Sequence, residues 1–105
     1  MPRDMPGRTL LRTEDVLLRV MELGPNAATK WHYHTQITDH VIGLRGGLWL
    51  ELRDPAEVVA LVPGVLAMVA PRRPHRVINR GGETGQYLLA QGVGRLDFNE
   101  VQDAP

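Results

Sequence analysis

The sequence predicts an all-β sandwich or barrel. Eleven Gly and eight Pro interrupt a 105-residue chain at short intervals, and the segments between the interruptions are short and rich in Val, Leu and Ile. No segment sustains a 3.6-residue hydrophobic period between good caps, so nothing competes as a long helix. The punctuation falls at Pro6-Gly7, Gly24-Pro25, Gly46-Gly47, Pro55, Pro63-Gly64, Pro71 with Pro74, and Gly81-Gly82.

The predicted strands follow in order. Val16–Leu23 comes first; it has a short helical look after Thr13 or Asp15, but Gly24-Pro25 ends it too soon for a helix. Trp31–His34 and Asp39–Arg45 follow. Leu48–Arg53 is the cleanest alternation, with Leu48, Leu50 and Leu52 on one face. Glu57–Val62, Val65–Val69, His75–Asn79, Gln86–Gln91 and Arg95–Phe98 complete the set. The chain is expected to be one domain over 1–105, with its barrel over about 10–99 and tails at 1–9 and 100–105.

Composition removes several classes of function. Twelve basic residues balance twelve acidic ones, which lacks the footprint of a nucleic-acid binder or a polybasic membrane-surface protein. Eleven of the twelve basic residues are Arg, which leaves room for discrete contacts to an anionic ligand. With no Cys, disulfides, thiolate metal sites and a Cys nucleophile are excluded. The longest apolar runs, Val58–Val62 and Val65–Ala70, are too short to cross a bilayer, and Met1–Thr9 lacks the apolar core of a secretion signal. A cytoplasmic protein is the expectation.

The chemistry concentrates in Trp31-His32-Tyr33-His34. On a strand, His32 and His34 project to the same side, while Trp31 and Tyr33 pack on the other. Asp39, a hard anionic oxygen ligand, follows five positions after His34, and His75 begins a later strand after Pro71-Arg72-Arg73-Pro74. Three of the four His in the chain fall in this pattern. Three imidazoles and a carboxylate suit Mn, Fe, Co, Ni, Cu or Zn.

At these residues the sequence resembles the cupin superfamily. The family's first motif runs Gly, His-x-His, Glu, Gly; here Gly24, His32, His34, Asp39 and Gly46 occupy that order, with Asp39 at the Glu position. The second motif runs Gly, Pro-x-Gly, His, Asn; here Gly64, Ala70-Pro71-Arg72, His75 and Asn79 stand in register. Ala70 and Arg72 replace the motif's Pro and Gly, with Pro71 one place late, and Arg72 implies a turn that does not need positive φ. The resemblance spans Gly24 to Asn79 and implies a double-stranded β-helix, or jelly-roll barrel. It also implies one divalent transition metal per chain, bound by His32, His34 and His75. Asp is one methylene shorter than Glu, so Asp39 is either the fourth ligand or an acid/base beside the metal. Gln36 is a second candidate for the fourth position.

Other residues carry blander readings. His40 and Asn79 are expected to be structural, and Arg45, Arg72 and Arg73 to lie on the rim or surface. Gly43, on the Asp39 face, is expected to widen the pocket. If Asp39 points inward, His40, Ile42 and Leu44 point outward, and a second copy of the chain is expected to cover that apolar row as a homodimer. The function implied is a metal-dependent enzyme on a small oxygenated molecule, of isomerase, lyase or dioxygenase type. A non-catalytic small-ligand or metal-binding module is an alternative, as is a metal-free epimerase-like cupin with a His as general base.

Overall fold

The structure, a computed structural model, describes residues 7–102. Ten strands appear in chain order: β1 (Gly7–Arg12), β2 (Val16–Leu23), β3 (His32–Tyr33), β4 (Thr38–Arg45), β5 (Leu48–Leu52), β6 (Glu57–Ala60), β7 (Leu66–Val69), β8 (His75–Asn79), β9 (Gly85–Gly92) and β10 (Asn99–Glu100). They form two five-stranded sheets, β1-β2-β9-β4-β7 and β10-β3-β8-β5-β6, and every strand pair is antiparallel. The described residues include no helix, and none is long and apolar enough to cross a membrane.

The two sheets face each other across a core of Met21, Leu23, Val41, Leu48, Leu50, Leu52, Leu61, Val69, Val77 and Tyr87. Period-2 alternation supplies these residues. Leu48, Leu50 and Leu52 bury while Trp49 and Glu51 stay half-exposed, and β8 alternates in the same way. The outer face of the second sheet is held by charge. Glu51 accepts from Arg76 and Arg80, each at 2.6 Å, and the guanidinium of Arg53 lies 3.9 Å from the ring centre of Trp31. These contacts give Trp31 the packing role expected of it.

The β4–β5 turn carries the first motif's glycine. Gly46 has φ of 94°, and a Cβ there would stand 2.5 Å from the Cα of Gly85. Gly43 also serves close approach, and here the expectation of a wider pocket fails: an added Cβ would meet the carbonyl oxygen of Leu61 at 2.2 Å. The space beside Gly43 is filled by backbone that accompanies its own hydrogen bond, from the Gly64 amide to the Gly43 carbonyl at 3.0 Å.

Two expectations at the ends change. Strand β1 starts at Gly7, inside the expected N-terminal tail, because it pairs with β2 from Gly7↔Met21 to Arg12↔Leu17. All six of its residues are exposed, so no alternation marked it. Arg95–Phe98 is not a strand; residues 93–98 run irregularly across the barrel mouth before the short β10. In place of a ladder, the Asp97 carbonyl accepts from His34 and the Gly94 amide donates to Asp15 O. The remaining tail residues, 1–6 and 103–105, lie outside the described range.

Candidate metal centre

Antiparallel pairing brings the four sequence-predicted residues together. On one sheet His32 stands directly across from His75, and on the other Asp39 stands across from Gln91. His34, just past the end of β3, projects from the same side as His32. Donor atoms from His32, His34, Asp39 and His75 all lie within 4.8 Å of one another. The imidazole centres of His32 and His75 are 4.4 Å apart, and those of His32 and His34 are 4.9 Å apart. All four residues are buried.

The rings are oriented from behind by backbone carbonyls. Nδ1 of His32 donates to Lys30 O at 2.6 Å, Nδ1 of His34 to Asp97 O at 2.5 Å, and Nδ1 of His75 to Arg73 O at 2.9 Å. A carbonyl only accepts, so each Nδ1 carries the proton and each neutral ring keeps its lone pair on Nε2. Those Nε2 atoms meet the carboxylate: His75 Nε2 is 2.8 Å and His34 Nε2 3.2 Å from Asp39 Oδ2. Gln91 Nε2 donates to the other oxygen, Oδ1, at 3.0 Å and lies 3.5 Å from His34 Nε2. Phe98 stacks on His32 at 4.4 Å between ring centres, closing one side.

The donor set fits a metal ion. Ligands bound at about 2.1 Å in neighbouring positions lie roughly 3.0 Å apart, and opposed ones roughly 4.2 Å. The Asp39 to His75 and His34 separations match the first value, and the spread of the cluster is only slightly wider than the second. One methylene fewer than Glu does not hold Asp39 back. With Gln91 on Oδ1, Oδ2 is the oxygen presented to the imidazoles.

The electrostatics have the same source. Burial alone would push the Asp39 carboxyl up, but bonds from His34 and His75 and their charges hold it well below the usual carboxylate range. Burial also pulls the His34 imidazole down, yet the bond to Asp39, its charge and the Asp97 carbonyl carry it above an ordinary His. His32 lacks a carboxylate bond, and burial with the nearby His75 lowers it to about 4. The buried carboxylate is thus anionic at neutral pH, and His32 is neutral.

The cluster lines one end of a cavity of about 370 Å³. Leu17, Met21, Val41, Val77 and Leu89 form its apolar wall, with Leu96, Asp97 and Phe98 beside the site. Of the other residues weighed from sequence, Gln36 is exposed and His40 is half-buried on the outer side of β4. Asn79 is fully buried and structural: its amide donates to Leu23 O at 2.9 Å and Glu83 O at 2.7 Å, and its oxygen accepts from the Gly81 amide. Arg45 and Arg72 are exposed and do not line the cavity, and Arg73 is tied to Arg53 O, Pro55 O and Glu57. The expectation for Arg72 is corrected. Its φ is 73°, so the second motif's turn keeps its left-handed residue without the glycine, while the Arg72 amide donates to His34 O at 2.6 Å.

Gln91, Asp97 and Phe98 were not foreseen. Gln91 left a trace: on β9 it shares a face with Tyr87 and Leu89, a polar group on an otherwise inward, largely apolar row. Asp97 acts on His34 through its carbonyl, which any residue type would provide, while its carboxylate accepts from Thr35 N and Oγ1.

The profile of the cupin domain family matches residues 19–90. No curated protein matches the chain. Among solved structures it is similar to an uncharacterized conserved protein with a double-stranded beta-helix domain from Klebsiella pneumoniae, at 19% identity and TM-score 0.83, covering 98% of this chain and 89% of that one. A cupin-2 domain from Rhodospirillum rubrum is similar at 18% identity and TM-score 0.82, covering 96% and 68%. The polyketide cyclase RemF from Streptomyces resistomycificus is similar at 23% identity and TM-score 0.78, covering 97% and 74%. These likenesses speak for the fold alone. The profile match, over well more than half of a chain folded as two facing antiparallel sheets, shows that this protein belongs to the cupin domain family.

Proposed function

We propose that this cupin holds one divalent transition metal on His32, His34, His75 and Asp39 and acts as an enzyme on a small oxygenated molecule bound in the cavity. One observation carries the reading: three imidazoles, each tied through Nδ1 to a carbonyl, turn Nε2 toward a point that the Asp39 carboxylate also reaches. When bound, the ion would supply Lewis acidity to a carbonyl or hydroxyl oxygen. The chain does the rest. Gln91 holds the Asp39 carboxylate in place, Phe98 and the apolar wall limit water, and the cavity admits a small molecule rather than a polymer. Asp39, held anionic, suits a metal ligand rather than a proton donor.

The test is turnover of keto acids, sugar acids and dicarbonyls by metal-reconstituted protein beside a His75→Ala variant. Turnover that needs both the metal and His75 supports the reading; equal turnover by the variant contradicts it. A second reading rests on the 2.8 Å contact between His75 Nε2 and Asp39. Without metal this is a buried His–Asp pair, and His75 as general base would have to take the proton at Nε2, on the side where Asp39 stands. Turnover that survives exhaustive chelation but not His75→Ala would select it.

The outer face of the first sheet supports a homodimer. Val20, Leu88, Ile42 and Leu66 form one row across four strands, beside a second row of Leu18, Ala90, His40 and Met68. Leu66 and Met68 are 52% and 59% exposed. A second copy covering these rows removes that apolar area from water. Light scattering should give twice 11.7 kDa; a monomer mass at micromolar concentration contradicts this.

A further inference from the structure

We infer that Arg19 makes this cavity select anions, so that within the proposed substrate range the ligand is a carboxylate, such as a keto acid or sugar acid, and not a neutral dicarbonyl or sugar. This rests on the reading that the cavity binds a small oxygenated molecule. Strand β2 sends Leu17, Arg19, Met21 and Leu23 to one side, and three of these four are buried apolar residues. Arg19 therefore stands on the inward face, and it lines the same cavity as His32, His34, Asp39 and His75. Its register neighbours are Thr9 on β1 and the apolar Leu89 on β9, with Val41 one strand further.

Among the described residues the Arg19 guanidinium makes no hydrogen bond or ion pair. Other arginines have partners: Arg76 and Arg80 on Glu51, Arg73 on Glu57 and two carbonyls. The Nε of Arg19 is buried with no hydrogen-bond partner among the described residues, and no described carboxylate pairs with it. Arg cannot shed its proton, so its buried Nε–H without an acceptor carries a standing desolvation cost. The chain makes room for it nonetheless: a Cβ at Gly7 would stand 2.8 Å from Nη2 of Arg19.

Charge points to the same ligand. The remaining charged groups lining the cavity are Asp39 in the cluster, with Arg12, Asp97 and Glu100. Asp97 is already engaged by Thr35. Arg12 and Arg19 stand against the three carboxylates of Asp39, Asp97 and Glu100, so a bound divalent ion would turn the balance positive, with Arg19 on the opposite sheet from His32 and His75. A carboxylate satisfies the guanidinium with two parallel N–H···O bonds, while a second oxygen of the same molecule faces the metal site.

The experiment is calorimetric titration of metal-loaded protein with matched probes: pyruvate against butane-2,3-dione, and glucuronate against glucose. Wild type should bind at least one anion of the pairs more tightly than its neutral counterpart. Arg19→Met should weaken that anion roughly tenfold to a hundredfold and leave the neutral probe unchanged, with Arg19→Lys between them. Far-ultraviolet circular dichroism confirms the fold of each variant, and Arg19→Gln replaces Arg19→Met if the latter fails to fold. No preference for either anion in wild type, or equal binding of the anion by the neutral variants, overturns the inference. Metal content of the same samples separates the two readings. A metal-free wild type with Arg19-dependent anion binding contradicts only the metal assignment; full metal with Arg19-independent binding contradicts only this inference.

Discussion

Strand β8 carries a buried polar residue at each end of one inward face, His75 and Asn79, and the two ends of the barrel make opposite use of them. At the Asn79 end every polar atom is matched within the chain: the amide spans two carbonyls, the oxygen takes the Gly81 amide, and Leu23, Leu48 and Leu50 fill the space around it. At the His75 end the matching is conditional. Its Nδ1 is tied to a carbonyl, but its Nε2 faces a carboxylate shared with His34, an arrangement equally suited to a proton or an ion. The same alternation buries both residues. What separates a staple from a reactive site is whether the partners are fixed amides and carbonyls or groups that titrate.

Breaking each end tests the contrast. His75→Ala should weaken metal binding roughly a hundredfold to a thousandfold, about 3–4 kcal/mol for one of four ligands, in an equilibrium metal titration. The melting temperature of the metal-free protein should move far less than the affinity. Asn79→Ala should do the reverse. It orphans two carbonyls and an amide in the closed end and should cost about 2–4 kcal/mol in denaturant unfolding, with the metal affinity of the folded fraction intact.

Finer changes sharpen the open end. Gln91→Leu frees Asp39 Oδ1 and should lower metal affinity by roughly tenfold to a hundredfold without removing a ligand. Acid should do the same by proton competition. The His34 imidazole holds its proton above the ordinary range, so a metal must displace it. Affinity is therefore full at alkaline pH and falls as pH drops through that raised value, about tenfold per unit for each proton displaced. His32, lowered to about 4, should not contribute to this loss between pH 7 and 5. The smallest effect is expected at Arg72→Gly. Relieving a φ of 73° should add about 0.5–1 kcal/mol of stability, partly offset by the freer unfolded chain, with metal affinity unchanged.

Much of this was legible in the sequence, and the physical reason differs by region. Strands with one buried face, such as Val16–Leu23 and His75–Asn79, announce themselves because alternation is enforced by the core. Strand β1 is exposed along its whole length, so no alternation was imposed on it, and residues 93–98 form no ladder, with the Asp97 carbonyl turned to His34. The four clustered residues were readable because the ligating capacity lies in their side chains, which the sequence names. The carbonyls of Lys30, Arg73 and Asp97 that orient the imidazoles were not, since a carbonyl is the same in every residue. Arg19 and Gln91 were readable in principle, as polar breaks in inward rows, but only once the rows were known to face a cavity. The turn at Arg72 misled because residue type favours glycine there and the Arg72–His34 backbone bond outweighs that preference.

The most direct test is a cobalt(II) titration of metal-stripped protein, followed by visible absorption, on wild type and His75→Ala side by side. The account predicts saturation at one cobalt per chain for wild type and no saturable site at the same concentrations for the variant, with both circular dichroism spectra showing an intact barrel. A wild type that takes up no cobalt, or a variant that saturates as tightly as wild type, would contradict it.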